Sequence, residues 1–266
     1  MHISALYSPD SASRTSYNPI FTHHFPHCSS VGYLQSSLNS SGNTAIGPSF
    51  QSIGSEGIKL TEIKVTGLAE GATVNGTINI QVLSNDGTVN AKYIYYQNVK
   101  NGGNKGKEGW YLNGSTQITV ENDVLFAVGQ GLWVKGISGA KLQSSGQVLF
   151  DDVIKSLPSS GNVMLCNPYP QDITLAKNVK VAGLAEGATI NGTINIQVLS
   201  NDGTVASKYI YYQNVKNGGN KGKEGWYLNG STQITEAADV TFPIGQGLWV
   251  KGASGASLKF TLGSAE

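Results

Sequence analysis

Four carboxylates, each present in two copies, are the first candidates for chemistry: Glu70, Asp86, Glu108 and Asp123, with Glu186, Asp202, Glu224 and Asp239. Two such groups about 5–10 Å apart suffice for glycoside hydrolysis. Asp86 and Asp202 each stand in an Asn-Asp-Gly turn, where aspartate commonly bonds its own backbone. Glu108 and Glu224 close a lysine-rich loop whose charge they balance. No histidine follows His27, so Ser–His–Asp and Cys–His catalysis, and histidine-ligated metal, are excluded from residue 29 onward. All four histidines (His2, His23, His24, His27) and the only arginine, Arg14, fall in the first 28 residues. There Phe21–Cys28, FTHHFPHC, offers three imidazoles and a thiol, but its spacing fits no zinc site and Pro26 interrupts it. GGNKGKEG at Gly102–Gly109 resembles a phosphate loop only superficially. Asn101 stands where its first glycine belongs, and Lys107 is followed by Glu108. It reads as a mobile, solvated loop. Gly129–Gly131 lacks the helix a dinucleotide site needs, and one carboxylate per Asn-Asp-Gly turn is too few for calcium. The reading is of a chain without catalytic residues, metal site or cofactor.

Aromatic residues are the stronger signal. Trp110 and Tyr111 follow the glycine-rich loop and return as Trp226 and Tyr227. As exposed platforms they would stack on sugar faces, and two copies would favour a polymeric ligand. Trp133, in the apolar run LWV, reads as packing, as does Cys166. Two cysteines, Cys28 and Cys166, cannot build a disulfide framework. A net charge of +1 and a single arginine give no reason to expect nucleic acid as a partner. No apolar run is long enough to span a membrane as a helix.

The elements that must position these residues are written twice. Gly67–Thr119 returns as Gly183–Thr235, and only Val74/Ile190, Asn90/Ala206 and Ala91/Ser207 differ. A looser echo links Val31–Asn43 to Asp151–Asn162. This organisation gives one repeat domain over 29–148 and a second over 149–266. Residues 1–28 have no periodic apolar pattern and lack the basic and apolar regions of a signal peptide; they read as a disordered tail or a misassigned start. Within a repeat the period is two. Ile78, Ile80 and Val82 share one face of a strand, and Tyr93 and Tyr95 oppose Ile94 and Tyr96 on the next. Val124, Phe126 and Val128 stay apolar in the second copy as Val240, Phe242 and Ile244. The alternate Leu125 and Ala127 become Thr241 and Pro243, which marks a solvent face and an edge strand. A phase break at Thr61–Glu62 predicts a bulge or two short strands, whereas Ile173 to Val181 keeps its phase. The chain is all-β, two tandem homologous β-sandwich or barrel-like domains.

The order VGY, GNTAIGPSF, IKVTGL, GWYLNG, GQGLWVKG resembles an uncharacterised family of secreted bacterial proteins built from two such repeats. The resemblance covers about Ser29 to Glu266. It implies an exported protein of the cell surface or exterior, with a signal peptide just before Val31, where residues 1–28 show none. It carries no catalytic residue to any position here. The expected function is a non-catalytic structural or adhesive one, through self-association. The alternative is a pair of carbohydrate-binding modules taking extracellular polysaccharide on Trp110, Tyr111, Trp226 and Tyr227.

Overall fold

In the computed structural model residues 31–262 are described; Cys28 and the four histidines lie outside them. The first unit contributes β1 (Val31–Ser37), β2 (Asn43–Ile46), β3 (Gly57–Lys59), β4 (Lys64–Thr66), β5 (Val74–Leu83), β6 (Val89–Gln97), β7 (Gly109–Leu112), β8 (Thr116–Gln117), β9 (Leu125–Ala127), β10 (Leu132–Lys135) and β11 (Lys141–Gln147). The second contributes β12 (Val153–Ser156), β13 (Asn162–Cys166), β14 (Ile173–Thr174), β15 (Val179–Ala182), β16 (Ile190–Leu199), β17 (Val205–Gln213), β18 (Gly225–Leu228), β19 (Thr232–Gln233), β20 (Thr241–Phe242), β21 (Gly247–Lys251) and β22 (Ser257–Phe260). Each unit forms a six-stranded sheet, β2-β10-β5-β6-β7-β8 or β13-β21-β16-β17-β18-β19. A three-stranded sheet joins it, β1-β11-β4 or β12-β22-β15, with a two-stranded ribbon, β3-β9 or β14-β20. All these strand pairs are antiparallel.

The alternation read from the sequence explains the layers. Ile78 and Ile80 on β5, Val134 on β10 and Tyr93 on β6 point inward to meet Leu142 from β11 and Phe126 from β9. Unit two repeats this core with Ile194, Ile196, Val250, Tyr209, Leu258 and Phe242. Each unit is therefore a sandwich with its own core. Burying one such aliphatic side chain contributes about 1.5–3 kcal/mol. Leu125 and Thr241 face solvent, as their variation between copies implied. Pro243 follows the end of β20, whose one sheet partner among the described residues is β14.

The phase break in unit one is two short strands, β3 and β4, joined by a 3-10 turn at Leu60–Glu62. Unit two departs from its reading. One short α-helical turn, α1 (Leu175–Asn178), replaces the continuous strand. Leu60 and Leu175 make the same hydrogen bond, to the carbonyls of Val124 and Val240. Unit two then has one more residue to place before Val179, the counterpart of Ile63, and the wider helical turn absorbs it.

Candidate functional site

Trp110 and Tyr111 are neighbours on β7, so their side chains leave opposite faces of the sheet. A coplanar platform is therefore impossible, and the expectation for these residues needs correcting. Trp110 enters the core at 5% exposure, packs on Tyr95 with ring centroids 5.0 Å apart, and donates its Nε1–H to the Ile63 carbonyl at 3.1 Å. Trp226 does the same at 4% exposure, against Tyr211 and the Val179 carbonyl. Tyr111 and Tyr227 lie on the outer face but are buried there. Tyr111 meets Tyr96 edge to face, with Val99 and Ile94 beside them. With the indole nitrogens hydrogen-bonded and the rings paired, these four aromatics present little surface for a sugar to stack on, and Trp226 edges a cavity, beside Tyr211.

The lysine-rich loop is also not the mobile segment expected. Lys107 Nζ sits over the rings of Tyr96 and Tyr111, 5.0 and 5.2 Å from their centroids, and donates to Asn104 Oδ1 and the Gly114 carbonyl. Asn104 Nδ2 donates to Asn75 Oδ1, tying the loop to β5. Lys223 holds the same position over Tyr212 and Tyr227. A cation over two rings contributes about 0.5–2 kcal/mol, so the lysine staples its loop to the sheet.

Of the duplicated carboxylates, Glu70 and Glu186 stand exposed; the other six are engaged locally. Asp86 Oδ1 accepts from the Ser84 hydroxyl and from the Thr88 N–H and hydroxyl. These bonds, the Ser84 one first, lower its pKa to about 2. Glu108 accepts from the Asn98 N–H at 2.7 Å, and Glu224 from the Asn214 N–H at 2.6 Å. Asp123 accepts from the Thr61 N–H, and Asp239 from the N–H groups of Ala176 and Lys177 at the start of α1. These are turn and cap roles. Among the described residues no group of three or more His, Cys, Asp or Glu is placed to hold a metal ion. Among them, too, no helix is long and apolar enough to cross a membrane.

What the sequence reading missed is the junction between the units. Its hydrogen bonds come in matched pairs. The Asn43 N–H donates to the Asn201 carbonyl and the Asn162 N–H to the Asn85 carbonyl, both at 2.7 Å. The Gly47 N–H donates to Gly245 and the Cys166 N–H to Gly129, both at 2.9 Å. Isolated bridges Ile46–Gln246 and Gln130–Leu165 complete the set. Each Asn-Asp-Gly turn thus docks on the opposite unit, with Gly87 beside Trp249 and Gly203 beside Trp133. Gly42 and Gly161 have positive φ, and a Cβ on either would fall 2.3–2.4 Å from the carbonyl oxygen of the docked turn. Only glycine fits there. The relation is that of an isologous dimer interface within one chain. Cys166 lies in this junction, fully buried, and burial pushes its thiol pKa up to about 12. It is inert packing, as its apolar surroundings in the sequence imply.

The pseudo-symmetry breaks beside this junction. The matched bonds Leu38 N–H to Ala140 and Leu157 N–H to Ala256 align Tyr33 with Asp152, Ser36 with Lys155 and Ala45 with Met164. In unit two the Lys155 stem lies against Gly129 and Met164 against Gly131. In unit one, with serine and alanine there, a groove of about 700 Å³ opens between β1, β2, the end of β16 and Pro243–Gly247. Its lining holds Lys141 but no carboxylate. No signal in a single unit could reveal this, because the groove is made by both.

Comparison with family models, with curated proteins and with solved structures gives no match to this chain.

Proposed function

We propose that the protein is a non-catalytic structural or adhesive component that works outside the cell or at its surface, as the sequence resemblance implies. The observation that carries the reading is how its resources are spent. The aromatic residues that would hold a sugar are buried, and six of the eight duplicated carboxylates are held in turns and caps. What remains outward is sheet edge, notably β1, seven residues without charge or proline. Unprotected edges of this kind are templates for pairing with another chain. Two sandwiches locked by reciprocal main-chain bonds make a stiff carrier for such an edge.

The test is light scattering of the full chain across a concentration series, with tryptophan fluorescence followed in parallel against a panel of soluble polysaccharides. Growth of defined assemblies with no saturable fluorescence change supports the reading. A saturable shift with one polysaccharide, from a protein that stays monomeric, would replace it with glycan binding at a site other than Trp110, Tyr111, Trp226 and Tyr227.

A further inference from the structure

Neighbouring residues of an antiparallel strand send their N–H and C=O groups alternately to one side and the other. The bond from the Leu38 N–H to Ala140, with the β1–β11 register, fixes that parity: Leu34 and Ser36 bond β11. Val31, Tyr33, Gln35 and Ser37 then direct their main-chain groups outward, where no strand of the described residues pairs with them. Tyr33, Gln35 and Ser37 all line the groove.

Unit two shows what a guarded edge looks like. At the position of Tyr33 it carries Asp152, ion-paired to Lys259 at 2.6 Å, and at the position of Ser36 it carries Lys155. Tyr169, where unit one has Phe50, donates its hydroxyl toward the carbonyls of Asp151 and Phe260. Charges of this kind are what β-proteins place on edges to prevent pairing. Unit one has lost all of them, and Val31 and Tyr33 stand 65% and 41% exposed.

We propose that the outward edge of β1, within the groove it shares with unit two, binds an extended peptide segment of another polypeptide by strand addition. The occupant is a single extended segment because the groove is bounded by Val198–Leu199 and Pro243–Gly247 of unit two as well as by β1. Main-chain bonds to Tyr33, Gln35 and Ser37 supply affinity, and alternate side chains reach Ile46 and Ile244. With Lys141 as the one charge in the lining and no carboxylate, the segment is neutral or acidic. The volume is in the range of small-ligand pockets, about 300–1,000 Å³. The inference rests on the adhesive reading and names its contact.

The experiment selects seven-residue peptides from a displayed library on the full chain, with counter-selection on Tyr33→Asp plus Ser36→Lys, which installs the residues unit two already tolerates. Selected peptides should alternate apolar side chains, lack lysine and arginine, and bind the double variant at least ten-fold more weakly. On the wild-type chain, the peptide should slow amide exchange at Tyr33, Gln35 and Ser37 at least ten-fold, a readout independent of how the variant folds. Failure to select any peptide above the double variant would overturn the proposal, as would protection confined to other amides. A soluble polysaccharide that occupies the groove, displacing Tyr33 and Lys141 resonances without protecting those amides, would overturn it too. Peptide addition without assembly in the scattering experiment would sink only the adhesive reading; assembly that survives the double variant would sink only this site.

Discussion

The two units differ far less in what they are than in what they present. Over the duplicated block their cores, loops and turns match closely: Trp110 and Trp226 reach equivalent carbonyls, and Lys107 and Lys223 sit at equal distances over their tyrosines. The differences gather in the flanking strands β1/β2 and β12/β13, on one side of the junction. Unit two fills its side with Lys155 and Met164 and guards its edge with Asp152; unit one does neither. A second asymmetry has a simple cause. Gln130 Oε1 accepts from the Ala127 N–H at 3.1 Å, but the corresponding residue of unit two is Pro243, which has no N–H, so Gln246 Oε1 is buried without a partner. Interior chemistry is held constant while the surface strands diverge, which localises any distinct role of the units to those strands.

The largest effect that could break this equivalence is in the cores. Trp110→Ala and Trp226→Ala should each destabilise their own unit by about 3–5 kcal/mol, and by matching amounts. Urea titrations read by hydrogen exchange in each unit would show it, and a mismatch beyond about 1 kcal/mol would mean the cores are not equivalent. Next come the junction glycines. Gly42→Ala and Gly161→Ala each force a methyl group onto a docked carbonyl at positive φ, for an expected loss of about 1–3 kcal/mol. The same measurement should show the loss shared by both units, since the contact spans them; loss in one unit alone would mean the junction does not couple them.

Smaller and opposite in sign is Pro243→Ala. Restoring an N–H for Gln246 removes an unsatisfied oxygen, a gain of about 1–3 kcal/mol, offset by about 0.4–1 kcal/mol from a freer unfolded chain. A net rise in the unfolding midpoint of unit two is expected, and a fall would reject the account of the orphan oxygen.

The smallest effect separates the two Asn-Asp-Gly turns. The Ser84 hydroxyl donates to Asp86, whereas Asp202 is lowered by Thr204 alone among side chains. Carboxyl titration by NMR should place Asp86 near about 2, below Asp202. Because the folded pKa is depressed, the turn's contribution is complete above the unfolded aspartate value of about 3.9 and disappears as pH falls through the folded value. Equal midpoints would remove the distinction.

Much of the fold is legible in the residue pattern. Period-two runs place β5, β6 and β9, and variation between copies at Leu125 and Ala127 identifies the solvent face. The opposite orientation of Trp110 and Tyr111 follows from the same period, which by itself argues against a shared platform. The helical turn at Leu175–Asn178 is hidden because one added residue does not disturb an apolar alternation that a turn can satisfy as well as a strand. The junction is invisible for a deeper reason. Its bonds are made by main-chain groups of Asn43, Gly47, Asn162 and Cys166, and main-chain groups leave almost no trace in residue type. Glycines record it instead: at 42 and 161, and at 47, 131 and 247, a Cβ would collide with the opposite unit.

The near-identity of the two central hairpins has a kinetic consequence. In the native chain β5 pairs with β10 and β16 with β21, yet the facing residues are Leu-Trp-Val-Lys in both. A refolding chain therefore meets two docking partners of nearly equal energy for each hairpin, and exchange between units costs little in local contacts. Discrimination falls to the strands that differ, β1 with β11 and β12 with β22, so correct assembly depends on their closing first. At high concentration the same degeneracy operates between molecules, and dilution during refolding becomes the variable that decides between a monomer and a chain-exchanged ladder.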